Sequence, residues 1–187
     1  GRNAKKLTDS DTEKLSMVWA PDSKSLAYSA SDHKLRQVEI ETVKTEEIAS
    51  SDAGNITGPQ FSPDGKWISY ARPDRGLRSH VWVKPLAGGA ERMIGGDQFL
   101  MTSGARWTPD GKKLLLLGGA GAFSIASTSR PTTQLYSVFL TRLEKNPSER
   151  GVDTEEEAQS APPAERRGGP SGAAAAPAQV EVKIEWD

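Results

Sequence analysis

The sequence predicts an all-β chain: a β-propeller segment of about three four-stranded antiparallel blades in an incomplete ring, followed by a disordered linker and one strand. Three observations carry this. A unit recurs three times, as WAPDSKSLAYSA (19–30), FSPDGKWISYAR (61–72) and WTPDGKKLLLLG (107–118). The aspartates Asp22, Asp64 and Asp110 lie 42 and 46 residues apart, and a second landmark, Leu7, Ile48 and Ile94, repeats at 41 and 46. Four short strand signals fit into each period, and a repeat of about 40–45 residues with four strands is the pattern of a propeller blade. A solenoid or sandwich is the alternative architecture for such a repeat.

Each unit centres on a tight turn. Pro21, Pro63 and Pro109 preset φ at the first central position, and Asp22, Asp64 and Asp110 suit the second because their carboxylates bond nearby backbone N–H groups. Gly65 and Gly111 then take positive φ; Ser23, at the same position, costs backbone strain if the geometry is kept. These residues are read as structural turns, not as a catalytic or metal-binding set. Trp19, Phe61 and Trp107 share one position in all three repeats, which makes them packing residues between blades.

The strands follow in order. First strands are expected over 15–19, 56–61 and 102–107, and second strands over 24–30, 67–71 and 113–117. The second strands carry Leu26 and Tyr28, Ile68 and Tyr70, and Leu114 and Leu116 on one face. Their other faces are small or apolar, which suits sheets stacked between neighbouring sheets. Third strands are expected over 35–40, 81–86 and 135–140, and short fourth strands over 45–49 and 91–94. Residues 4–8 match a fourth strand with no other three before it. The blades are thus about 15–49, 56–94 and 102–143. Pro59 fits an edge strand, since a proline cannot donate to a ladder, and the innermost strand of a blade has a free edge toward the channel. Three blades and one leading strand do not close a ring of about four to eight blades, so the chain reads as a segment of a longer propeller protein.

The connection between second and third strands lengthens along the chain: 13, 17 and then 25 residues from turn aspartate to third strand. The last, GGAGAFSIASTSRPTT (118–133), lacks the Gly-Lys-Ser/Thr ending of a phosphate loop and opens no helix, so it reads as a mobile rim loop. From 144 to 179 the chain is rich in Glu, Pro, Gly and Ala, with 7 acidic against 4 basic residues and no aromatic. Such a composition cannot bury enough apolar surface to offset its ordering entropy. VEVKIEWD (180–187) then alternates strictly, which predicts a half-buried strand, either the missing fourth strand of the third blade or one pairing elsewhere in the ring.

Composition narrows function by exclusion. With 24 Lys plus Arg against 25 Asp plus Glu, the net charge of −1 argues against nucleic acid or a polybasic membrane surface as partner. There is no cysteine, hence no thiolate nucleophile or thiolate metal site. No run of about 18 apolar residues is present, so no spanning helix is expected. Only His33 and His80 could serve a serine triad or a metal. Neither carries a Gly-x-Ser-x-Gly signature, and both read as surface histidines. No catalytic residue, cofactor or metal is expected in this segment.

With the three blades and the tail read, the sequence resembles the propeller region of tricorn-type serine peptidases and their bacterial homologues. The repeat (FSPDGKWISYAR, then HVWVKPLAGGAERMI) is shared with TolB-like and prolyl-oligopeptidase propellers. More specific are LYSVFLTRLEKNPSERGVDTEEE (135–157), which resembles the family's last blade strand and acidic spacer, and VEVKIEWD, which resembles the strand that follows it. The Ala- and Gly-rich linker departs from the Lys/Glu-rich spacers of homologues. The resemblance implies a large peptidase whose nucleophile lies in another domain, with propellers that gate or channel peptide or unfolded-polypeptide substrates and scaffold a homo-oligomer. The further partners implied are the rest of the same chain, a second propeller and a catalytic domain, in a periplasmic or cytoplasmic bacterial setting with the periplasm favoured. Two other readings stay open: a TolB-like protein-binding propeller without enzymatic activity, and the propeller lid of a prolyl-oligopeptidase relative.

Overall fold

A computed structural model of the chain describes residues 4–96, 99–119, 133–141 and 180–185. Among these residues, eleven strands form three antiparallel meanders. The first blade is β1 (Lys14–Trp19), β2 (Ser25–Ala30), β3 (Lys34–Glu39) and β4 (Thr45–Ser50); the second is β5 (Thr57–Phe61), β6 (Trp67–Pro73), β7 (Ser79–Pro85) and β8 (Arg92–Met93). The third has β9 (Met101–Trp107), β10 (Lys113–Gly119) and β11 (Thr133–Phe139), and among the described residues it has no fourth strand. In every sheet the strands are hydrogen-bonded in sequence order, and the first strands β1, β5 and β9 lie side by side. Consecutive sheets stacked about their first strands are three blades of a β-propeller.

The expected linker over 144–179 lies outside the described residues. So do most of the Gly-rich loop (120–132) and the last two residues, Trp186 and Asp187. Residues 4–8 join no ladder; Lys5 Nζ donates to the Ile40 carbonyl at 2.9 Å and Leu7 packs on the outer face of the first blade.

Each first strand carries a bulge opposite the second strand. In two blades it coincides with a glycine six residues before the turn aspartate, Gly58 at φ 58° and Gly104 at φ 64°. The extra residue bends the strand and strengthens its twist. Pro59 sits beside the bulge on the sheet-edge strand β5, fully buried.

Packing is between sheets, as the two apolar faces of the second strands require. Between the first two blades, Ala27, Leu35, Ile48 and Ala49 meet Ile56, Phe61, Ile68 and Tyr70. Between the second and third, Val81 and Val83 meet Ala105, Leu114 and Leu116. A buried polar bridge crosses the second interface: the Val81 N–H donates to Thr102 Oγ1 at 2.7 Å.

Candidate functional site

The three turns are built alike. In each, the N–H of Ser23, Gly65 or Gly111 donates to the carbonyl three residues back, at 2.9 Å in every case. Those three residues sit at φ 59°, 69° and 68°, the left-handed region, where only glycine is free of steric cost. The N–H groups of Lys24, Lys66 and Lys112 donate to Oδ1 of Asp22, Asp64 and Asp110. Pro21, Pro63 and Pro109 open the turns. These aspartates are spent on the backbone, and no group of three or more metal-ligating side chains gathers near them or elsewhere among the described residues.

The three equivalent aromatics differ in what they meet. Trp107 reaches back to the second blade, where its Nε1–H lies 3.0 Å from Ser69 Oγ and 3.3 Å from the Gln60 carbonyl. Phe61 is buried against the first blade. Trp19, whose face of β1 has no sheet against it among the described residues, is 56% exposed.

Asp64 has a second role. Its Oδ2 accepts the N–H of Val182 at 2.9 Å, across 118 residues of sequence. The segment Val180–Glu185 runs along the rim formed by these turns. Val182 is 5% exposed in the cluster of Val83, Leu114 and Leu116, with Val180 and Ile184 packed beside it. Gly111 makes room for it: a Cβ there would lie 2.6 Å from Val182 Cγ2. Lys66 pairs with Glu181 at 3.4 Å, and the Glu185 N–H donates to the Leu140 carbonyl at 2.8 Å. Burial works against the Asp64 charge. The Ser62 hydroxyl, the N–H groups of Val182 and Lys66 and the Lys66 charge outweigh it and hold the carboxyl below its usual range.

A cleft of about 410 Å³ opens on the opposite rim between the first two blades, among Ser50–Ala53, Arg72–Arg75, His80 and Trp82. The Arg72 guanidinium stacks 4.1 Å over Trp82 and pairs with Glu91, which also accepts the Tyr70 hydroxyl. Burial, then Glu91, pushes the Tyr70 phenol far above its usual range, so it stays a donor. Asp74 is held by the Arg78 N–H (2.9 Å) and guanidinium (3.0 Å), which keep its carboxyl low, and His80 Nε2 lies 3.5 Å from it. Ser51 Oγ accepts the Ala53 N–H at 3.3 Å, and neither Ser50 nor Ser51 is bonded to His80. The cleft thus offers Arg75, His80 and Asp52 to a polar ligand without an assembled nucleophile and base. His33 sits at φ 62° in the β2–β3 turn, its N–H on the Ala30 carbonyl, and does not line the cleft.

The turns and the three aromatics are legible in the sequence. The Val182–Asp64 contact and the rim cleft are not, because both depend on how blades stack. A signal for the first was present in the alternation of 180–186, which fixes a buried face but names no partner for it.

Comparison with known proteins sets these features in context. No family model matches the chain. A stretch of 59 residues, 32% of the chain, is 32% identical to tricorn protease homolog 1 of Streptomyces coelicolor and covers 6% of that protein. Among solved structures, the tricorn protease superposes with a TM-score of 0.58 at 16% identity, over 72% of this chain and 14% of its own. TolB from Acinetobacter baumannii superposes at 0.54 with 24% identity, over 76% of this chain and 36% of its own. At these identities the structural likenesses establish the propeller fold, and the chain spans a small part of each relative's length.

Proposed function

We propose that these blades are a non-catalytic propeller segment of a tricorn-like serine peptidase, gating or channelling peptide substrates and scaffolding the assembly. The observation that carries this reading is the 59-residue match to a tricorn homologue, since the structural likenesses extend equally to TolB. The acidic spacer and the VEVKIEWD tail support it, as stretches of sequence similar to that family's. In this reading the partners are peptides or unfolded polypeptide, a second propeller and a catalytic domain of the same chain, and further copies of the whole protein. A rigid propeller contributes by positioning loops and clefts at its rims, where bound polypeptide meets both backbone and side-chain groups.

The test compares peptidase activity on fluorogenic peptides between the full-length protein and this segment. Activity in the full-length protein and none in the segment is the expected result. Activity in neither favours the second reading, a TolB-like protein-binding propeller, for which the 24% identity to a TolB structure is the supporting observation. Activity in the segment alone overturns the non-catalytic assignment.

A further inference from the structure

We infer that the groove between the Asp64 and Gly111 turns is a docking site for an extended peptide with alternating β-branched residues, and that Val180–Glu185 occupies it as an intramolecular ligand. The inference deepens the peptide-handling reading and rests on it for the identity of the outside ligand. Its geometry stands on its own.

The segment is held as a peptide is held by a receptor. Its backbone supplies two N–H donors, Val182 to Asp64 Oδ2 at 2.9 Å and Glu185 to the Leu140 carbonyl at 2.8 Å. Alternate side chains, Val180, Val182 and Ile184, enter the apolar seam between the second and third blades. Glu181, on the opposite side, meets Lys66. Backbone bonds supply affinity independent of sequence, and pockets for alternate side chains supply selectivity, the division of labour in extended-peptide recognition.

The internal repeat gives a control. Asp22 and Asp110 make the same Asx contact with their own turns as Asp64 does. Asp64 directs its second oxygen at a backbone N–H 118 residues away. Gly111 leaves the space into which Val182 fits, whereas a Cβ at its counterpart Gly65 would meet only Pro21, at 3.7 Å. The groove is therefore specific to this pair of blades. The ligand class follows: an extended segment with β-branched residues two apart, a free N–H on the middle one, and an acidic residue just before it. A tethered segment competes as an intramolecular ligand, so it shields the groove from outside peptide until it is displaced.

The test uses the full chain with Val182→Asp and Ile184→Asp, which unseat the segment in place, and a fluorescein-labelled peptide Val-Glu-Val-Lys-Ile-Glu followed by anisotropy. The expected result is binding at least about tenfold tighter than to the unsubstituted chain, as removal of an intramolecular competitor requires. Adding Asp64→Ala should abolish the gain, and adding Asp22→Ala should leave it. A folded double variant that binds no better than the unsubstituted chain, or a gain indifferent to Asp64, overturns the inference. Should the double variant fail to fold, amide exchange in the unsubstituted chain decides. Val182 and Glu185 amides exchanging faster than those of β6 and β10, and faster still with excess peptide, support docking. Exchange only through global unfolding makes the segment a fixed part of the blades and overturns it. An unfolded polypeptide that binds elsewhere, unaffected by Asp64→Ala, would sustain the peptide-handling reading while this one fails.

Discussion

Ser23 is the one residue of the three left-handed turn positions that is not glycine, at φ 59°. An L-residue there costs about 1–2 kcal/mol relative to glycine, offset in part by the greater freedom glycine gives the unfolded chain. Ser23→Gly should therefore raise stability by about 0.5–1 kcal/mol, read as a higher urea midpoint with unchanged slope; a lower midpoint would mean the hydroxyl makes a contact worth more than the strain. Asp64 makes a different prediction, in pH. Its carboxyl is lowered in the folded chain from an ordinary 3.8. A depressed folded value stabilises above the unfolded one and loses that contribution as pH falls through the folded one. The stability difference between the chain and its Asp64→Asn variant should thus be constant near neutrality and shrink below about pH 4. The Val182 amide shift should titrate with it. A difference that persists in strong acid would mean the charge at Asp64 plays no part in holding the tail segment.

At the scale of elements, the strands were legible because turn chemistry and apolar alternation agree three times over. For the strands of the three blades, expected and observed spans differ by one or two residues, as at β6, expected over 67–71 and found at Trp67–Pro73, whereas residues 4–8 and 180–185, also read as strands, join no ladder. The first-strand bulges were not legible. Gly58 and Gly104 stand in stretches that otherwise read as plain strand, and only the paired register shows each lying where the first strand has an extra residue. They also separate two costs. A side chain at Gly58 would meet nothing within 4 Å, so Gly58→Ala reports backbone strain alone, while at Gly104 a Cβ would sit 3.2 Å from Leu117. Both alanine variants should lose about 1 kcal/mol from positive φ, and Gly104→Ala should lose more by thermal melting. Equal losses would mean Leu117, partly exposed at 41%, moves aside freely. The tail's docking was illegible for another reason. Alternation in 180–186 identifies a face to bury, but Asp64 and Gly111 receive it from positions far off in sequence, brought together only once blades stack.

For the whole molecule the governing fact is that blades bury apolar surface on both sides. The middle blade does so, and Trp107 shows what an outer blade's aromatic gains from a neighbour: partial burial and a hydrogen-bonded indole. The outward faces lack that. Leu15, Met17 and Trp19 are exposed on β1, and Leu117, Leu135 and Phe139 on the far side of the third blade, with Met17 at 75% and Leu135 at 69%. Lys113, 4.6 Å over the Phe139 ring, partly screens that second face. Contiguous exposed apolar patches of this kind mark association surfaces. They are shaped to receive a sheet, because each is the same kind of surface that the middle blade presents to its neighbours. On its own this chain should therefore self-associate, and sedimentation velocity should show weight-average mass rising with concentration. Met17→Lys with Leu135→Lys puts one charge on each face and should shift the distribution toward monomer while leaving the strand content by circular dichroism unchanged. A single cooperative monomer at all concentrations would mean these faces are covered within the chain, and would contradict the open arrangement of the three blades.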